Sequence, residues 1–270
     1  MIPPVVDASW WQARAGSVVL ADVRWYLDGR SGREAFDRGH LPGAVFVDLD
    51  RWLASHGSAE AGRHPLPTPE TFAEGMGRLG IGDDDVVVAY DDAGGVIAAR
   101  LVWMLRVTGH DAALLDGGLS AYDGPLETEP RPRPAVVFTA RPWPDDRLAG
   151  IDDAGDPGNV VIDARNPDRY RGEQDPVDPR PGHIPGAHNV PCRANLDEQG
   201  RFLPAEDLRR RFSAAGVTAD SDVVSYCGSG VTACHNLLAL ELAGFGPGRL
   251  YPGSWSQYSH AADRPVALGG

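Results

Sequence analysis

The chain contains no lysine: all 25 of its basic residues are arginine. Schiff-base chemistry and a lysine-based phosphate loop are therefore excluded, and any bound anion must be held by guanidinium groups or backbone amides. Positive charge is scarce overall, with 38 acidic residues against the 25 and a formal net charge of −13. Sequence-independent attraction to phosphate needs a basic face, so neither nucleic acid nor a membrane is an expected partner. No apolar run approaches the roughly 18 residues that a membrane span requires. The first residues (MIPPVVDASWW) lack a basic stretch followed by an apolar one, and a cytoplasmic location is expected. Three cysteines, an odd number, do not make a disulfide framework; free thiols in a reducing compartment are expected.

What is present is a repeat. Residues 18–24 (VVLADVR) pair with 160–165 (VVIDAR), 39–45 (GHLPGAV) with 182–188 (GHIPGAH), 66–72 (LPTPETF) with 203–208 (LPAEDL), and 86–92 (VVVAYDD) with 223–228 (VVSYCG). The offset of about 136 to 143 residues fits two domains of ordinary size. We expect a first domain over 1–124, an extended proline-rich linker over 125–146 with an edge strand near 136–139, and a second domain over 147–270 with a loosely ordered tail after His260. The β-branched runs at 18–23, 86–90, 160–163, 223–226 and 250–251 read as strands. Residues 96–107 and 233–243 read as helices closed by Gly109 and Gly244. Strands alternating with crossover helices give an α/β fold in which each half is a mostly parallel sheet flanked by helices, with ligands outside the carboxyl ends of the strands.

A residue found in both halves is expected to serve the fold, and one found in only one half is a candidate for chemistry. By that test Cys227, which stands where the first half has Asp91, comes first. A strand runs into it, Gly228 and Gly230 can take positive φ, and a helix begins near Thr232, so successive N–H groups can converge on one anion. A helix N-terminus offers an anion about 0.3 to 2 kcal/mol and each charge-assisted amide bond about 1.5 to 3 kcal/mol, enough to hold a sulfur anion without a histidine base. Ser229 can donate its hydroxyl to a ligand, and Thr232 is expected to cap the helix. Cys192 and Cys234 are expected in the core. A phosphatase reading fails because position 233 is Ala, not Arg. Cys192, Cys227, Cys234 and His235 lack the close paired spacing of a structural zinc site, so no metal and no cofactor are expected.

The loop 227–234 (CGSGVTAC), with 182–187 (GHIPGA), 163–165 (DAR) and 252–255 (PGSW), resembles the rhodanese superfamily, specifically two-domain sulfurtransferases of the 3-mercaptopyruvate type. The resemblance implies tandem rhodanese-like domains, the first catalytically silent with Asp at the cysteine position. It also implies transfer of sulfur from 3-mercaptopyruvate through a Cys227 persulfide to a thiol or cyanide. Thiosulfate:cyanide transfer and a non-catalytic persulfide carrier or redox sensor are the alternatives. Basic residues after the cysteine suit a dianionic donor in thiosulfate-preferring members; Gly228 and Ser229 here favour a monoanion. The implied site is Cys227 and Ser229, with the donor held by Arg169 and Arg180, by the loop residues Gly228, Gly230, Val231 and Thr232, and by His40; Arg171 could replace Arg169. His40 and His183 recur in both halves, which favours a structural turn role. The implied partners are a small anionic sulfur donor and a small thiol or thioredoxin-like acceptor, with the protein a monomer or homodimer.

Overall fold

The computed structural model describes all 270 residues and divides them into two units. The first comprises residues 1–55, 66–143 and 197–202; the second comprises 56–65, 144–196 and 203–270. In the first, β1 (Val5–Val6), β2 (Val18–Asp22), β3 (Val45–Phe46), β4 (Val86–Tyr90) and β5 (Ala112–Leu115) form one sheet in the order β1-β5-β4-β2-β3. In the second, β6 (Val160–Asp163), β7 (His188–Asn189), β8 (Val223–Tyr226) and β9 (Arg249–Leu250) lie in the order β7-β6-β8-β9. All pairings are parallel, and Leu148 bridges Leu250 where β1 stands in the first unit. The two halves therefore share one strand order.

The apolar runs explain the positions of β4 and β8. Val87 to Tyr90 and Val223 to Tyr226 are buried on both faces, as parallel strands covered by crossover helices must be. The helices Ala99–Val107 and Ala233–Leu242 follow them, and Gly109 and Gly244 close the turns beyond with φ of 84° and 74°. Asp91 and Cys227 are thus the first residues past the carboxyl ends of their strands.

The repeat extends to the buried hydrogen bonds. Arg24 grips Asp22 through Nε and Nη2 and donates to Gly39 O at 2.8 Å; Arg165 grips Asp163 and donates to Gly182 O at 2.8 Å. Leu41 N donates to Tyr90 Oη at 3.0 Å, and Ile184 N to Tyr226 Oη at 3.2 Å. Each arginine ties a strand end to the following histidine turn. Burial pushes the Asp22 carboxyl upward, against the pull of Arg24. A charge in such a place is tolerable only while its partner remains.

Four expectations change. Residues 125–143 are packed into the first unit rather than forming a linker: Phe138 is buried and stacks on His110, Val136 N donates to Gly77 O, and Trp143 Nε1 donates to Pro67 O. No strand forms at 136–139, because the bonds go to a helix end and loops instead of a sheet edge. The tail is also anchored, with Ala267 bridging His183 and Gly269 N donating to Arg171 O. Finally, the segments before the two LP motifs exchange units: 56–65 joins the second and 197–202 the first.

Candidate active site

Cys227 is 2% exposed, and its Sγ accepts the Gly230 N–H at 3.1 Å. The turn is fixed from behind by 252–256. Trp255 N donates to Cys227 O at 3.0 Å, Ser256 N to Gly228 O at 2.8 Å, and Cys227 N to Ser254 Oγ at 3.1 Å. Ser254 is the chain's one non-glycine residue with positive φ, at 51°, in the place where the first half has Gly118 at 56°. Its hydroxyl in turn donates to Tyr251 O at 2.8 Å. Gly230 is required twice over, by its φ of +79° and because a Cβ there would meet Pro252 O at 2.5 Å.

The corresponding loop of the first half, with left-handed φ at both Gly94 and Gly95 where the cysteine loop has it at Gly230 alone, holds an anion. Asp91 Oδ1 accepts from Ala93 N and Gly95 N at 2.8 and 2.7 Å, and Oδ2 from Ile97 N and Ala98 N at 2.8 and 2.9 Å. A carboxylate is thereby solvated entirely by backbone amides, each charged bond contributing about 1.5 to 3 kcal/mol. In the cysteine loop, by contrast, the amides of Gly228, Ser229, Val231 and Thr232 donate to no other part of the chain. They remain available to an anion.

Several site residues lie elsewhere than expected. Gly228 does not adopt positive φ. It is glycine for space: a Cβ would meet Arg63 Nη2 at 3.1 Å and Arg169 Nη1 at 3.2 Å. Arg169 is therefore at the loop, with Nη2 on Asp175 at 3.1 Å and on Asp178 at 2.8 Å. Arg180 is not available. Its guanidinium donates to the carbonyls of Tyr258, Ser259, Ala261 and Arg264 at 2.7 to 2.9 Å, closing a helix end whose last carbonyls have no intrahelical partner. Arg171 pairs with exposed Glu173. Thr232 precedes the helix 233–242 but makes no side-chain cap, because its own φ and ψ of −71° and −14° are already helical. Val231 is buried.

His40 is fully buried in the first unit, stacked on Phe36 at 3.7 Å with Nδ1 on Phe36 O at 2.8 Å. His183 repeats the arrangement on Tyr170. With no exposed surface, His40 has nothing to offer a donor. The histidine at the site is His64, whose Nδ1 lies 2.8 Å from Ser229 Oγ. It sits on the exchanged segment beside Arg63, which ion-pairs with Asp178. Sequence comparison could have found it, since 62–64 (GRH) stands where the second half has 200–202 (GRF), making the histidine unique to one half.

The other cysteines are interior. Cys234 is buried with Sγ directed to Gly230 O at 3.4 Å, and burial pushes the Cys192 thiol up to about 12. No helix of the chain is long and apolar enough to cross a membrane.

The rhodanese-like domain family matches residues 8–124 and 147–261. A Pseudomonas aeruginosa protein named provisionally as a 3-mercaptopyruvate sulfurtransferase is 44% identical over 268 residues, covering 93% of each chain. A Mycobacterium tuberculosis protein named provisionally as the thiosulfate sulfurtransferase SseB is 41% identical over 263 residues, covering 93% of this chain and 91% of its own. The crystal structure of SseA from Escherichia coli, described as a 3-mercaptopyruvate sulfotransferase, superposes with a TM-score of 0.83 at 33% identity, over 94% of this chain and 99% of that one. With both halves matched and a cysteine in only the second, the chain belongs to the rhodanese family, as a two-domain member of its sulfurtransferase branch.

Proposed function

We propose that the protein takes sulfane sulfur from 3-mercaptopyruvate onto Cys227 and passes it to a thiol or cyanide. The Cys227 thiolate attacks the donor sulfur, the donor's carbon–sulfur bond breaks, and its electron pair passes to the carbon skeleton as an enolate that takes up a proton to give pyruvate. The persulfide left on Cys227 is then attacked at its outer sulfur by the acceptor, which regenerates the thiolate. Splitting the transfer in two means the loop must stabilise a thiolate and a persulfide in turn.

The observation that carries this reading is the Asp91 carboxylate, held by four amides in the equivalent loop of the first half. A carboxylate oxygen lies two bonds beyond Cβ, as does the outer sulfur of a cysteine persulfide. The matching loop of the second half lacks the left-handed φ of Gly95 at Val231, but its free amides at Ser229, Val231 and Thr232 lie in the corresponding turn and suit that anion. The Ser229 hydroxyl, bonded to His64, is placed to donate to the oxygen on which charge develops as the donor's bond breaks. Arg169 offers its free Nη1 to the donor carboxylate. A cytoplasmic site of action is supported by three unpaired cysteines.

The name of the mycobacterial relative favours thiosulfate as a second donor. Turnover of both donors by one preparation, with mass analysis of the Cys227 peptide, tests the reading. Faster turnover with mercaptopyruvate and one added sulfur on that peptide is expected. Absence of the adduct after exposure to either donor would remove the mechanism.

A further inference from the structure

The proline-rich segment after residue 125 builds one wall of a cavity in the first unit. β3 is the last strand of its sheet, and beside it residues 130–133 meet the end of the helix Pro69–Arg78. Arg133 Nε donates to Gly80 O at 2.8 Å, and Gly80, at φ +73°, leaves the room the segment needs: a Cβ there would meet Arg133 Cβ at 2.4 Å and Pro134 O at 2.8 Å. Proline at 130, 132 and 134 fixes φ near −65°, so this wall is set before any ligand arrives. The cavity measures about 140 Å³, close to the roughly 150 Å³ that accommodates a benzene ring. Its floor is apolar, with Phe36, Ala44 and Val45 buried and Phe46 and Leu79 half-buried.

The rim is cationic. Arg33, Arg78, Arg131 and Arg133 line it, and no carboxylate does. Each guanidinium is paired with an acid that stands outside the lining: Arg33 Nε with Asp37 at 3.0 Å, Arg78 Nη2 with Glu74 at 2.7 Å, Arg131 Nη2 with Glu127 at 2.6 Å and Arg133 Nη2 with Asp85 at 3.5 Å. These pairs occupy one side of each fork, which leaves both Nη of Arg33 and the Nη1 of the other three as donors. The guanidinium carbon of Arg33 lies 5.5 and 5.9 Å from the ring centroids of Phe36 and Phe46, so charge and apolar surface meet at one point. On a chain of net charge −13, a lining with four arginines and no acid reverses the field locally.

The second unit has the same frame without these groups. In register with Phe46 it has Asn189, and at the end of the equivalent ten-residue helix Ala214 and Ala215 replace Arg78 and Leu79. As with Cys227, residues present in only one half serve something other than the shared frame. We propose that this cavity is a binding site for a small carboxylate whose apolar body has the size of one ring, the body lying against Phe36, Phe46 and Leu79 and the carboxylate on the arginine rim. Guanidinium forks suit a carboxylate through two parallel hydrogen bonds, and the apolar floor selects against a small inorganic anion that has no apolar surface to bury. None of these residues belongs to the cysteine site.

Phenylacetate, benzyl alcohol and benzylammonium carry the same ring and differ in charge, and each is titrated into the full chain by calorimetry and ligand-detected NMR. Phenylacetate is expected to saturate one site at millimolar concentration or below, with benzyl alcohol at least about 10-fold weaker and benzylammonium unbound. Arg33→Ala and Arg131→Ala should each weaken phenylacetate binding about 3- to 10-fold and together about 10- to 100-fold, with the thermal unfolding midpoint held; Arg131→Lys should cost less than Arg131→Ala. Leu79→Trp, which fills the cavity and keeps its charges, should abolish binding. Equal affinity for the acid and the alcohol would overturn the assignment, as would the absence of saturable phenylacetate binding. Binding that survives the double alanine variant, or that pyruvate displaces, would place the anion at the cysteine site and overturn it too.

Discussion

His64 Nδ1 lies 2.8 Å from Ser229 Oγ, so a residue from the first half of the sequence bears on the cysteine loop of the second unit. Proton transfer and hydrogen bonding at that hydroxyl are expected to contribute about 10²- to 10⁴-fold to turnover. His64→Ala and Ser229→Ala should each lower kcat with mercaptopyruvate by about that range, and the double variant should lose little more than the worse single one, since the two act as a unit. Additive losses in a double-mutant cycle would show that they act independently.

Cys227→Ser should abolish both the sulfur adduct and turnover, whereas Cys192→Ser should leave both largely intact. All three thiols are buried, but brief alkylation at neutral pH should label Cys227 alone, because burial holds the Cys192 thiol protonated and Cys234 Sγ is directed to Gly230 O, while Cys227 lies among loop amides available to a thiolate. Peptide mapping of the alkylated protein decides it.

The Cys192 thiol also predicts a pH dependence of stability. Burial raises it from its usual 9.0 to about 12, so between those values the unfolded chain loses a proton that the folded one retains. The contribution is therefore fully present below about pH 9 and is lost progressively as pH rises toward 12. Urea unfolding midpoints of wild type should fall over that window, and those of Cys192→Ala should fall less. Parallel curves would exclude the thiol as the source.

Asp163→Asn is expected to destabilise the second unit by about 3 to 5 kcal/mol, because it leaves Arg165 buried with too few acceptors. Asp22→Asn should do the same to the first unit. Calorimetry should show the loss confined to one transition in each case; a shift below 1 kcal/mol would mean water replaces the missing charge.

Ser254→Ala and Ser254→Gly separate strain from hydrogen bonding. Both remove the acceptor of Cys227 N, but only the glycine relieves the left-handed φ of 51°. The alanine variant should be the less stable by about 1 kcal/mol, with activity reduced in both. A more stable alanine variant would rule out backbone strain at 254.

The α/β class, the duplication, the strands 86–90, 160–163 and 223–226 and the cysteine that breaks the repeat were legible in the sequence because they depend on local patterns: apolar runs long enough to be buried on both faces, glycines closing helices, and one substitution between matched segments. The same comparison set His183, a turn residue in both halves, apart from Cys227. What the tertiary structure alone decided is which distant groups meet. Arg180 and Arg63 are equally basic in sequence, yet one closes a helix end with four carbonyls while the other is turned toward Gly228 by a buried carboxylate 115 residues away. Segment exchange places His64 beside Ser229 and leaves His40 in a core, although both are histidines of the first half. Such choices follow from the packing of elements far apart in the chain, and no local propensity encodes them.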